Sequence, residues 1–239
     1  MNVHVFIPCF MDQLFPDTAF NTIKVLEKAG CKVTYNPEQT CCGQPAFNAG
    51  YWGEAREVCN KFITDFSEAE YVVMPSASCT GFIRNYYSKI YDNASNQKDI
   101  RFLQGKVYEL SEFLIQVLHI ENIGAELNTR ATYHDSCAGL RECKLNDIPK
   151  RLLSHVKGLE MLELKDNETC CGFGGSFAVK FDAISAAMGD QKIQHVIDSG
   201  AETLISTDLS CLMHLDGVIK KQNLPIRVMH LADVLASGY

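Results

Sequence analysis

The chain has 239 residues, 46% of them hydrophobic and 21% charged, and a net charge of −7. That is the make-up of a globular chain with room for one large α/β domain or two small ones. An acidic balance without a basic run argues against a nucleic-acid or anionic-membrane surface, and no apolar stretch reaches the length of a membrane span.

In chain order, residues 3–7 form an apolar run expected as the first strand. The opening residues carry no basic flank and soon meet Pro8, so they do not read as a signal peptide, and a cytoplasmic location is expected. Phe20, Ile23 and Leu26 then recur at helical spacing, with Asp17 placed to cap that helix and Gly30 to end it. Residues 32–35 give a second strand. Ala55, Val58, Cys59, Phe62, Ile63 and Phe66 form an apolar helical stripe. Residues 71–74 give a third strand, and the run DNASNQKD (92–99) reads as a polar loop. In the second half, residues 132–134, 161–164 and 203–206 are strand candidates. A long helix there carries Ile184, Met188, Ile193, Val196 and Ile197. Alternation of strand and helix in each half predicts an α/β fold with a small parallel sheet flanked by helices.

The unusual feature is 11 cysteines. The odd count and the vicinal pairs Cys41-Cys42 and Cys170-Cys171 oppose a disulfide framework and favour reduced thiols. The cysteines also expose an internal repeat. Thr-Cys-Cys-Gly at 40–43 recurs at 169–172. Cys9 corresponds to Cys137, and Ser78-Cys79 to Ser210-Cys211. Lys106-Val107-Tyr108-Glu109-Leu110 corresponds to Arg227-Val228-Met229-His230-Leu231. The chain therefore reads as two copies of one unit, 1–126 and 127–239, expected to be related by a pseudo-twofold. Eight cysteines occupy equivalent places: Cys9, Cys41, Cys42 and Cys79, then Cys137, Cys170, Cys171 and Cys211. Cys31, Cys59 and Cys143 have no counterpart and read as inert structural thiols.

In each copy the four equivalent cysteines follow the carboxyl ends of three parallel strands, so they share one edge of the sheet, where open α/β sheets bind ligands. Four convergent thiols suit zinc or an iron–sulfur cluster. Neither copy has a C-x-x-C pair. Adjacent cysteines fit several irons more easily than one tetrahedral ion, so spacing favours a cluster while zinc stays open.

The pattern C-x31-CCG-x35-C followed by C-x32-CCG-x38-C resembles the CCG, or cysteine-rich, domain family, which includes the B subunit of heterodisulfide reductase and the iron–sulfur subunit of glycolate oxidase. Over nearly the whole chain the resemblance is to that family's lactate-utilisation branch. It is carried by Cys41-Cys42-Gly43-Gln44-Pro45-Ala46, by Cys170-Cys171-Gly172-Phe173-Gly174-Gly175 and by the ending Val228–Leu235. The resemblance implies an electron-transfer subunit in the oxidation of L-lactate to pyruvate, an oxidoreductase subunit not active alone. It implies partnership with a ferredoxin-type iron–sulfur subunit and a third, smaller subunit. It also implies a [4Fe–4S]-type cluster on Cys9, Cys41, Cys42 and Cys79 and another on Cys137, Cys170, Cys171 and Cys211. Zinc in one or both sites is expected if the protein is handled in air. Phe82 and His214 stand where the disulfide-reductase pattern has a fifth cysteine. Phe82 cannot ligate, while His214 could. That departure weakens a second reading, a thiol–disulfide oxidoreductase. A zinc-stapled adaptor is the third.

Other residues carry less. His134-Asp135 precedes Cys137 and could move protons, although a hydrogen-bonded strand-end histidine is the ordinary reading. The glycines of 172–176 lack a phosphate-loop pattern and read as room for a cluster, with N–H groups turned toward sulfur. Arg84, Arg141, Lys144 and Lys180 could offset cluster charge, with solvation as the default. No flavin or nicotinamide fingerprint is present, and no catalytic residue is assigned.

Overall fold

The computed structural model describes residues 1–91 and 94–239, with the backbone alone for residues 94–96. It divides into two compact units, Met1–His119 and Ile120–Tyr239, a division earlier in the chain than 126/127. The first strand of the second unit starts at Glu126, whose N–H already donates to Ser237 O at 3.1 Å.

The first unit runs β1 (Asn2–Val5), α1 (Cys9–Leu14), α2 (Pro16–Lys28), β2 (Lys32–Tyr35), α3 (Gln44–Ala49), α4 (Trp52–Phe66), β3 (Val72–Met74), α5 (Ala77–Ile90), α6 (Ala94–Gln104), β4 (Val107–Glu109) and α7 (Leu110–Glu112), which widens into a π turn at Phe113–Val117. The second unit repeats the plan with β5 (Glu126–Tyr133), a π turn at Ala138–Cys143, α8 (Ile148–Ser154), β6 (Lys157–Met161), α9 (Ser176–Lys180), α10 (Asp182–Ser199), β7 (Thr203–Ser206), α11 (Leu209–Lys221), β8 (Arg227–His230) and α12 (Leu231–Leu235). The sheets have orders β2-β1-β3-β4 and β6-β5-β7-β8, and every pairing is parallel. The expected α/β class and its two parallel sheets are therefore present, each sheet one strand wider than the sequence pattern indicated.

Burial explains the ordering. All residues of β3 and β7 are buried, as inner strands covered on both faces are. In the first unit Phe6, Phe62 and Phe66 pack edge to face around the helix stripe, with Phe6 and Phe62 ring centroids 5.2 Å apart. Full burial of each such ring contributes about 1.5–3 kcal/mol. On α4 the stripe buries Ala55, Cys59, Phe62 and Phe66, with Val58 and Ile63 at its margin.

Several local expectations are corrected. Asp17 does not cap α2. Pro16 takes the first helical position, and Asp17 lies exposed in the first turn, where its charge still complements the helix dipole. The run 92–99 is not a loop throughout, because α6 starts at Ala94; Asp92 and Asn93 lie outside the described residues. Ile100 and Leu103 of α6 are buried, and Gln97 and Gln104 donate to the carbonyls of Ser88, Tyr91 and Ile83 at 2.8–2.9 Å. On α10, Ile193 and Val196 enter the core while Ile184 and Ile197 face outward. β4 and β8 each run straight into a capping box. The carboxylate of Glu109 accepts from the N–H groups of Ser111 and Glu112, and in the second unit His230 Nδ1 accepts from Ala232 N–H at 3.1 Å.

Candidate metal centres

In the first unit Cys9 opens α1 just past β1, Cys41 and Cys42 lie between β2 and α3, and Cys79 lies in the first turn of α5 past β3. Three strand ends thus deliver four thiols to one place. Cys42 Sγ is 3.4 Å from Cys79 Sγ, and Cys42 and Cys9 both hydrogen-bond to the Cys41 sulfur. Gly43 N–H points at the same sulfur from 3.4 Å. Those donors, Cys42 first, pull the Cys41 thiol far below its ordinary range. The opposite side of the same bonds, with burial, pushes Cys42 and Cys9 up. On a metal such a donor set would be fully deprotonated.

The second unit builds the same group. Cys170 accepts from Cys137 and Cys171 and is held low, while Cys171 is raised chiefly by its bonds to Cys170 and Cys211. Gly172 N–H and Phe173 N–H lie 3.4 and 3.5 Å from the Cys170 and Cys171 sulfurs, so the glycine loop does turn its amides toward sulfur. Gly172 has φ +97°, and a Cβ there would stand 2.6 Å from Ser185 O. Only glycine lets the chain pass so close to α10.

All eleven cysteines are free thiols. Cys31, Cys59 and Cys143 are buried. The Cys59 thiol reaches Cys42 O at 3.9 Å, and burial raises it to about 12, which keeps it a thiol. Tyr87 donates to the same carbonyl at 2.8 Å and closes the back of the first site.

His214 and His134 stand in different surroundings. His214, in the fifth-cysteine position, spends Nε2 on Ser185 O at 3.3 Å and wedges behind Gly172. His134 is fully buried, and neither ring nitrogen makes a hydrogen bond of ordinary geometry, so it is no conventionally satisfied strand-end histidine. Instead one ring nitrogen and the sulfurs of Cys171 and Cys211 all lie within 4.8 Å of one another. Cys211 is lowered, chiefly by its bond to Cys171, with the His134 imidazole a further cause. Asp135 is buried and held by Lys150 Nζ at 2.5 Å and Asn167 Nδ2 at 2.6 Å.

Of the expected counter-charges, Arg84 pairs with Glu112 at 2.9 Å, and Arg141, Lys144 and Lys180 are exposed. The cation that does stand near sulfur is Lys192, 1% exposed on α10, donating to the carbonyls of Asp166 and Asn167 at 2.5 and 3.1 Å. Burial lowers its pKa, and the nearby Cys171 opposes that shift. The one sequence signal for Lys192 was its place beside Ile193 and Val196 on a buried helix face.

The donor chemistry fits a thiophilic metal or an iron–sulfur cluster. Each group offers four sulfurs and inward amides, and the second adds a buried imidazole nitrogen within 4.8 Å of two of its sulfurs. No helix among the described residues is long and apolar enough to cross a membrane.

Comparison with known proteins agrees with this chemistry. The family described as the cysteine-rich domain, CCG, matches residues 3–84 and 131–216. The chain is 43% identical over 235 residues to lactate utilization protein A of Geobacillus kaustophilus, covering 98% of each. It is 41% identical over 237 residues to lactate utilization protein A of Bacillus subtilis, covering 99% of this chain and 100% of that one. Among solved structures, a hypothetical protein from Helicobacter pylori matches all of this chain with a TM-score of 0.58 at 14% identity; this chain spans about half of it, 49%, and the likeness is one of fold.

Proposed function

This chain belongs to the CCG cysteine-rich-domain family, in the group of lactate utilization protein A, and we propose that it is the iron–sulfur electron-transfer subunit of a multi-component system oxidising L-lactate to pyruvate. The observation that carries the reading is the twofold gathering of thiols at sheet edges. Cys9, Cys41, Cys42 and Cys79 would hold one [4Fe–4S]-type cluster, and Cys137, Cys170, Cys171 and Cys211 the other. Such a cluster supplies one-electron transfer. Lactate oxidation releases two electrons and two protons, and two one-electron carriers in one chain match that count. The chain's own groups contribute the rest. The amides of Gly43, Gly172 and Phe173 stabilise added negative charge on sulfur, which raises a cluster's potential. Burial of Cys42, Cys79, Cys171 and Cys211 keeps the inner sulfurs from water. The partners would be a ferredoxin-type iron–sulfur subunit and a third subunit, in the cytoplasm.

Anaerobically purified protein should be brown and carry four to eight irons with matching sulfide. Colourless protein from that preparation, loaded with zinc alone, would overturn the reading. A second reading, zinc in one or both sites, is favoured by a specific distance. The 3.4 Å between Cys42 and Cys79 sulfurs is near the spacing of about 3.8 Å set by four ~2.3 Å bonds to one tetrahedral ion. Metal analysis separates the two.

A further inference from the structure

The two units place different side chains at one backbone position beside the sulfurs. In the first unit Phe6 N–H donates to Val73 O at 2.9 Å, and the ring is buried against Phe62 and Phe66. In the second unit His134 N–H makes the corresponding bond to Ile205 O at 2.8 Å, and its carbonyl accepts from Ser206 Oγ at 3.0 Å. The backbone of His134 is thus clamped on both sides, directly after β5. Its ring is 0% exposed, neither nitrogen makes a hydrogen bond of ordinary geometry to nitrogen or oxygen, and one of them lies within 4.8 Å of the sulfurs of both Cys171 and Cys211, with the Cys211 thiol its direct partner. A metal held by those two sulfurs would have an imidazole nitrogen within reach, and imidazole is a common donor to iron and zinc. We infer that His134 is a fifth protein donor at the second centre, supplying a nitrogen that the first centre, with Phe6 in its place, does not have. His214, bound to Ser185 O, is not that donor. The inference rests on the proposal that the second quartet holds a metal centre.

The test uses full-length Cys42→Ser protein prepared anaerobically, so that the second centre dominates. It is grown with ordinary or 15N-labelled histidine, reduced, and examined by pulsed electron paramagnetic resonance. The expected result is a coordinated-nitrogen coupling that changes with the isotope. It is lost in His134→Phe and His134→Asn and retained in His214→Ala. If the His134 variants do not fold, the isotope result together with His214→Ala decides. Iron in the second site without a coordinated nitrogen overturns the inference and leaves the proposed function standing. Zinc without iron overturns the proposed function. X-ray absorption at the zinc edge then judges the inference separately: one nitrogen donor that disappears in His134→Phe supports it, and an all-sulfur shell overturns it.

Discussion

The two thiol groups sit on the same strand ends, yet their surroundings differ in kind. The first is backed by aromatic rings and one phenol: Phe6, Phe62, Phe82 and Tyr87 are all buried behind Cys42 and Cys79. The second is backed by ionisable and hydrogen-bonding groups: His134, the Asp135–Lys150 pair, Lys192, and Asp208, which accepts from Ser136 Oγ at 2.8 Å. The two units keep four thiols on the same strand ends and differ in what lies one layer behind them. Because electrons are held by sulfur and iron but tuned by neighbouring charge and hydrogen bonds, two centres with one donor plan need not share one potential.

The comparison is broken most severely by removing a thiol. Cys42→Ser should empty the first site and leave the second nearly full, and Cys171→Ser should do the reverse. Iron and sulfide per chain fall to about half in either variant. Loss of all iron from one substitution would mean that the sites are not independent.

Glycine substitutions should separate the units next. A Cβ at Gly172 meets Ser185 O at 2.6 Å, whereas one at Gly43 meets Ala55 O at 3.3 Å, and both residues have positive φ. The backbone conformation alone costs alanine roughly 1–2 kcal/mol, and the clash adds to it. Gly172→Ala should therefore lower stability to urea by about 2–4 kcal/mol and Gly43→Ala by about half of that, under anaerobic conditions.

The capping boxes give a pH test. Glu109 is fully buried, and desolvation raises it from 4.5 to about 7. Its folded form keeps the proton more tightly than the unfolded chain does. Its stabilising contribution is therefore complete below about pH 4.5 and declines as pH rises through about 7, by about 3 kcal/mol. Glu109→Gln should flatten that slope in the first unit; a slope unchanged in the variant would refute the assignment.

A smaller effect sharpens the electrostatic contrast. Lys192→Met removes the buried cation near Cys170 and Cys171 and should lower the second centre's potential, leaving the first unmoved. A unit charge about 7 Å away at an effective dielectric constant of about 20 is worth on the order of 100 mV. A redox titration that resolves both centres checks it. The smallest change should come from Cys59→Ala and Cys143→Ala, which leave iron content as it was; a drop in iron would return those thiols to the donor sets.

The repeat and the eight thiols were legible because the vicinal cysteines are rare and fall at matched spacings. The sheet edge followed from strand–helix alternation. The fourth strand of each sheet was not legible. β4 and β8 are three and four residues long and carry Glu109, Arg227 and His230, so neither reads as an apolar run. Helix α6 hid in a polar composition whose packing rests on Ile100, Leu103 and two glutamine amides. Sequence registers His214 against a motif position, whereas the proximity of His134 to Cys171 and Cys211 depends on β5 and β7 lying side by side. Lys192 is hidden from sequence for a related reason, since its neighbours in space are carbonyls of a loop far from it in the chain.

The central claim is that each unit gathers its own redox-active metal centre. Iron and acid-labile sulfide, quantified on anaerobic wild-type protein beside its Cys42→Ser and Cys171→Ser variants, test it most directly. The account predicts matched iron and sulfide that halve in either variant; zinc without sulfide, or thiols that retain no metal at all, would contradict it.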